Sequence, residues 1–179
     1  MISQVDEEIR EYLDLLKRDP NVPEVHNSLG IVCAKKGMYI DAIGAFKEAI
    51  RLKPTYAEAH YNLATVYHNR GNILEAIHEY SEAIRLDSNM VQAHNDLGVA
   101  FYKNNRTGDA IMEFKEAVRI RPDFDEAHFN LGNCFAEKGE MEAAISEFKE
   151  TLRLNPEHQV AKKALQEAQS IEASKQGRK

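Results

Sequence analysis

Apolar residues recur at three- and four-residue steps along nearly the whole chain, and those steps sit inside a longer period. The segments EVHNSLGIVCAKKG (24–37), EAHYNLATVYHNRG (58–71), QAHNDLGVAFYKNN (92–105) and EAHFNLGNCFAEKG (126–139) begin 34 residues apart. Each is followed by a second segment: YIDAIGAFKEAIRLKP (39–54), ILEAIHEYSEAIRLDS (73–88), TGDAIMEFKEAVRIRP (107–122) and MEAAISEFKETLRLNP (141–156). VDEEIREYLDLLKRDP (5–20) fits the second register one period earlier. Within the second segments Ile77, Tyr80 and Ile84 mark one helix face, as do Ile43, Phe46, Ile50 and Ile111, Phe114, Val118. The pattern predicts a repeating pair of antiparallel helices joined by a tight turn, and no strands.

The punctuation agrees with that reading. Gly37, Gly71 and Gly139 fall where each first helix ends, and glycine takes the left-handed conformation that closes a helix; Asn105 stands there in the third unit, the next most tolerant residue. Asn21-x-x-Glu24, Thr55-x-x-Glu58, Asn89-x-x-Gln92 and Asp123-x-x-Glu126 read as capping boxes opening the first helices. Gly30, Ala64, Gly98 and Gly132, facing Ala42, Ala76, Ala110 and Ala144, are expected to let paired helices approach closely.

These residues resemble the tetratricopeptide repeat family, a helix–turn–helix unit of 34 residues. In the second unit the motif positions are Leu63, Ala64, Tyr67, Gly71, Ala76, Tyr80 and Ala83; in the fourth, Leu131, Gly132, Phe135, Gly139, Ala144, Phe148 and Pro156. Cys33, Asn105, Ser88 and Thr151 depart from the pattern. The resemblance divides the chain into a half repeat (1–22), four repeats (23–56, 57–90, 91–124 and 125–158), and a capping helix with a basic tail (159–179). It implies an all-α solenoid, a right-handed superhelix of stacked helix pairs whose concave side is lined by the first helices.

The opening residues of the fourth unit place Glu126, His128 and Cys134 close together and raise the question of a metal or thiol site. The repeat answers it. His26, His60, His94 and His128 recur at the same 34-residue step, and neighbouring units stand about 8–10 Å apart, too far to share a zinc ion. Cys134 takes the slot held by Val32, Val66 and Ala100, a small apolar packing position. No phosphate loop or nucleophile elbow stands elsewhere. The expectation is a non-enzyme without metal or cofactor.

Composition then narrows the partner. A net charge of −6 among 179 residues disfavours nucleic acid, which needs a basic face. No run approaches the roughly 18 apolar residues of a membrane span. The start lacks a secretory signal pattern. Cys33 and Cys134 lie too far apart in a stacked array to pair, so a cytoplasmic location is expected.

Function is then expected in the groove that the resemblance implies. Its positions fall on Asn27, Tyr61, Asn95 and Phe129; on Ser28, Asn62, Asp96 and Asn130; on Ile31, Thr65, Val99 and Asn133; and, one turn on, on His68 and Tyr102. Asparagine donates to and accepts from a peptide backbone, and aromatic rings give rigid anchors. The Lys and Arg clamp of chaperone-tail-binding members is absent, because Asn27, Gln92 and Asp96 hold the corresponding slots. Asn62 and Asn130 are similar to the asparagine ladder of O-GlcNAc transferase, while Ser28 and Asp96 interrupt it. Carboxylates at Glu24, Glu58, Asp96, Glu126 and Glu137 outnumber Lys35 and Lys103, which favours a neutral or mildly basic protein or peptide partner. Replacing Asn62 and Asn130 together is expected to weaken binding and leave stability unchanged. The alternatives are a fragment of a larger multidomain protein, or an assembly scaffold that self-associates weakly through residues 1–20, where Ile9, Tyr12, Leu13 and Leu16 have no preceding helix to cover them. At the other end Val160, Ala161, Ala164, Leu165 and Ala168 are expected to seal the last unit.

Overall fold

A computed structural model describes the backbone of residues 4–176 and the side chains of 7–175. The first three residues of the half repeat and the last three of the basic tail lie outside the described residues. The described residues form ten α-helices and no strand: α1 (Gln4–Arg18), α2 (Pro23–Lys35), α3 (Tyr39–Leu52), α4 (Ala57–Asn69), α5 (Ile73–Leu86), α6 (Val91–Lys103), α7 (Thr107–Ile120), α8 (Asp125–Glu137), α9 (Met141–Leu154) and α10 (Gln159–Gln176). The fold is all-α, of helix pairs stacked in the manner of a solenoid. The chain divides into two compact units, Met1–Ala93 and His94–Lys179.

The predicted turns have a common geometry. Gly37, Gly71 and Gly139 take φ of 77°, 79° and 78°, and Asn105 takes 58°. The next N–H then reaches back five residues: Met38 to Cys33, Asn72 to Tyr67, Arg106 to Phe101 and Glu140 to Phe135, each at 2.9 Å. This is the Schellman closure, which satisfies a carbonyl that the helix end would leave open.

The helix starts differ from the predicted capping boxes. No side-chain cap bonds are made at α2, α4 or α8, whose N-caps are Val22, Tyr56 and Phe124, one residue beyond the expected polar cap. The apolar residue is kept there by packing: cations lie over the two rings, Lys53 at 4.7 Å from Tyr56 and Arg121 at 4.0 Å from Phe124. The acidic residues of the boxes are turned to other partners. Glu24 meets Lys53 at 3.3 Å, while Glu58 and Glu126 accept from asparagines of the preceding repeat.

In unit 1 the core holds Ala42, Phe46, Ala49, Leu63, Ala64, Ala76 and Tyr80; in unit 2 it holds Ala110, Phe114, Ala117, Leu131, Ala144 and Phe148. The small residues are required by the aromatic ones. A Cβ built on Gly30, Gly98 or Gly132 would stand 2.6 Å from the ring of Phe46, Phe114 or Phe148 respectively. At the C-terminal end α10 packs against α9 and α8, and its Ala161 and Ala168 are buried. Val160 is not part of the expected seal: at the second residue of α10 it is 60% exposed.

Candidate functional site

The first helices of unit 1 are α2 and α4. Asn27, expected in the groove, is 3% exposed. Its Oδ1 accepts from Asn62 Nδ2 at 3.0 Å, and its own amide N–H groups reach Glu58 Oε1 at 3.5 Å and Tyr56 OH at 3.4 Å. Asn27 therefore ties one repeat to the next from below, out of a ligand's reach. Asn62 is half-buried and spends one N–H on this tie. Beside it Tyr61 packs on Tyr80, ring centroids 5.7 Å apart. The Tyr80 hydroxyl donates to Thr65 Oγ1 at 3.2 Å, and Thr65 donates to the Tyr61 carbonyl at 3.0 Å. His68 meets the edge of the same Tyr80 ring at 6.5 Å.

Unit 2 repeats the arrangement 68 residues on. Asn95 is fully buried; it accepts from Asn130 Nδ2 at 3.0 Å and donates to Glu126 Oε1 and Asp96 Oδ1, both at 3.3 Å. Asn130 is the half-buried donor, matching Asn62. Phe129 lies between Phe148 at 5.9 Å and His158 at 4.7 Å. Val99, Tyr102, Asn130, Asn133 and Cys134 surround a cavity of about 70 Å³ floored by Phe114. Tyr102, 41% exposed, forms its rim, and its hydroxyl donates to the Glu137 carboxylate, which holds the phenol's pKa up.

The structure thus sorts the expected positions. Asn62 and Asn130 with Tyr61, Thr65, His68, Asp96, Tyr102, Phe129 and Asn133 reach the surface, whereas Asn27 and Asn95 do not. The interrupted ladder in the sequence is a two-repeat alternation of buried acceptor and surface donor. Asn62 and Asn130 each donate to the side-chain oxygen of a buried asparagine, so their removal is expected to cost stability, in contrast to the expectation from sequence.

The histidine row is a second device that spacing alone does not display. His60, His94 and His128 each place Nδ1 at 2.7 Å from the partner helix's carboxylate, Glu79, Glu113 and Glu147. Nε2 of His60 and His128 faces the carbonyl of Pro54 at 3.3 Å and of Pro122 at 3.0 Å. Each of these two rings spans its own repeat and the end of the one before. His158 accepts the Ala161 N–H at 3.1 Å and caps α10. Burial pushes the Cys134 thiol up to about 11 and the Cys33 thiol upward as well, so neither is an activated nucleophile. Among the described residues no group of three His, Cys, Asp or Glu side chains is placed to hold a metal ion.

Comparison with known proteins places the chain. Two family models match it: "TPR repeat" over residues 32–71 and 64–105, and "Tetratricopeptide repeat" over 95–158. Among solved structures, one described as "Crystal structure of MamA protein" is 30% identical with a TM-score of 0.76, covering 83% of this chain and 81% of its own. Another structure of MamA is 27% identical with a TM-score of 0.80, covering 87% and 96%. A third, described as "YrrB: a TPR protein with an unusual peptide-binding site", has a TM-score of 0.81 at 19% identity, covering 90% and 84%, and shares the fold alone. No curated protein sequence matches the chain. With both family models falling on its repeats, the chain belongs to the tetratricopeptide repeat family.

Proposed function

We propose that this chain is a non-enzymatic interaction module that holds an extended peptide or partner segment against the first-helix faces of its repeats. The observation that carries this reading is the paired surface chemistry of Asn62 with Tyr61 and of Asn130 with Phe129. Each pair sets a half-buried side-chain amide, one N–H of which is used inside the stack, beside a ring packed on a buried aromatic. A peptide backbone offers the complementary donor and acceptor, and a rigid ring loses little entropy on contact. The carboxylates on these faces suit a neutral or mildly basic protein segment and disfavour nucleic acid or an anionic membrane surface. Two buried, unpaired cysteines suit a reducing compartment, the cytoplasm. The same faces would serve as well in a fragment of a larger protein.

The test must spare the Asn pairs that hold the repeats. Display of random peptides against the whole chain should enrich a set of binders. Tyr102→Ala with Asn133→Ala should weaken them about tenfold, while Arg85→Ala with Arg119→Ala, removed from the second helices, should change binding less than about twofold. Loss of binding in the arginine variant, with the Tyr102 and Asn133 variant unaffected, would put the ligand elsewhere.

A further inference from the structure

The repeat is defective at one place. Glu79, Glu113 and Glu147, which clamp the histidines, have Ala45 as their counterpart in the first repeat, and His78, Met112 and Ser146 have Gly44. No carboxylate therefore stands where the His26 ring would need one. In place of the two missing side chains a cavity of about 500 Å³ opens between α1 and α3, floored by Leu29 and Cys33 of α2. Ile9, Leu13 and Leu16 form one wall, and Ile40, Gly44 and Ala45 the other. Leu13 is 46% exposed and Ile40 77%, the most exposed large apolar side chain of the described residues.

We propose that a second copy of this chain docks here: its α1 lies antiparallel in the α1–α3 groove, and the two copies close around a two-fold axis as a four-helix contact. Charge argues for this occupant. Along α1 the charges run from Glu7, Glu8 and Glu11 in the first half to Lys17 and Arg18 at the far end, with Arg10 and Asp14 between them; Lys17 lies 2.7 Å from Asp14 of its own helix, with both side chains exposed. Short turns make α2 antiparallel to both neighbours, so α1 and α3 run the same way. A second α1 laid antiparallel brings its Lys17 and Arg18 to Asp41 at the start of α3, and its Glu7 and Glu8 to Lys47 and Arg51 at the far end, where Arg51 is also held by Glu48 and the three side chains leave one net positive charge. The apolar stripe Ile9, Leu13 and Leu16 of each copy then meets the cavity of the other. The helix dipoles oppose as well.

The contact is small. Helices of about 22 Å length and about 10 Å width, two on each side, bury on the order of 900 Å² in total. That lies below the size of a standard stable interface, so the contact is a weak one, and a two-fold contact stops at the dimer. Within one copy Lys17 and Asp41 stand at opposite ends of their parallel helices, so a coupling between them arises only between copies.

Sedimentation velocity on the full chain from about 1 µM to about 500 µM tests this. The expected result is a reversible monomer–dimer equilibrium. Ala45→Glu, which fills the groove and gives His26 the carboxylate its counterparts have, should weaken the dimer at least about tenfold while keeping or raising the melting temperature. Leu13→Lys should weaken it similarly. Lys17→Glu should weaken it, and adding Asp41→Lys should restore it. A strict monomer over the whole range, a dimer untouched by Ala45→Glu and Leu13→Lys, growth past the dimer, or no recovery in the charge swap would each overturn the proposal.

Discussion

At the scale of single residues, polar groups inside the stack decide more than their exposure suggests. His60 is the clearest. One ring nitrogen faces the Glu79 carboxylate and the other a backbone carbonyl, and two acceptors are best met by two donors, so the site favours the imidazolium. The hydrogen bond it donates to Glu79 raises its pKa above the ordinary value, against the pull of burial, with the Pro54 carbonyl and Glu82 adding to the rise. A raised folded pKa contributes stability that is fully present below the unfolded value near 6.5 and is lost as pH climbs through the folded one. The melting temperature should therefore fall as pH rises from about 6 through the raised pKa. Glu79→Gln should flatten that slope and cost about 1–3 kcal/mol at pH 6; an unchanged slope would remove His60 from the account. The asparagines make a second case. Asn62→Ala strips a donor from the buried Asn27 oxygen, and Asn130→Ala does the same to Asn95. Each should cost about 1–3 kcal/mol in denaturant unfolding, even though both side chains reach the surface. Nothing in the sequence announces this, because the two partners lie 35 positions apart on different helices.

At the scale of the helix pair, the readable signals were those that backbone geometry imposes. A glycine or asparagine at each left-handed closure and a small residue under each ring can be seen from spacing, because no other residue fits. The helix starts could not be seen as well. Thr55 and Asp123 look like caps, but Tyr56 and Phe124 take the N-cap position because their rings are packed, a tertiary cause that local pattern does not carry. The close approach yields a direct expectation. Gly132→Ala puts a Cβ 2.6 Å from Phe148, a core ring with little room to move, and should destabilise unit 2 by about 1–3 kcal/mol. Asn105→Gly, at φ 58°, relieves a left-handed strain with open solvent around it and should be neutral or stabilising by up to about 1 kcal/mol. Chemical denaturation of both variants compares the two effects in one background.

At the scale of the molecule, stacked repeats share one another's faces, so the ends need separate treatment. The register shows both ends: α1 falls in the second-helix frame and α10 in the first-helix frame. It also shows how they differ. Where inner first helices carry Gly30, Ala64, Gly98 or Gly132 to receive a ring, α10 carries Gln166, and where they carry His60 or His128 it carries Lys162. A polar outer face is what a terminal cap requires. On its inner face α10 buries Ala161 and Ala168, and His158 at its start stacks on Phe129 at 4.7 Å. Ending the chain after Asn155 should therefore uncover Phe129 and the outer face of α9. In a one-dimensional stack the loss is felt first by the nearest repeat. Hydrogen exchange on the shortened chain should show amides of α8 and α9 losing protection by about tenfold or more, while those of α2 and α3 change little. Uniform loss of protection along the whole chain would mean that the repeats unfold as one unit, and that α10 stabilises all of them rather than its neighbours.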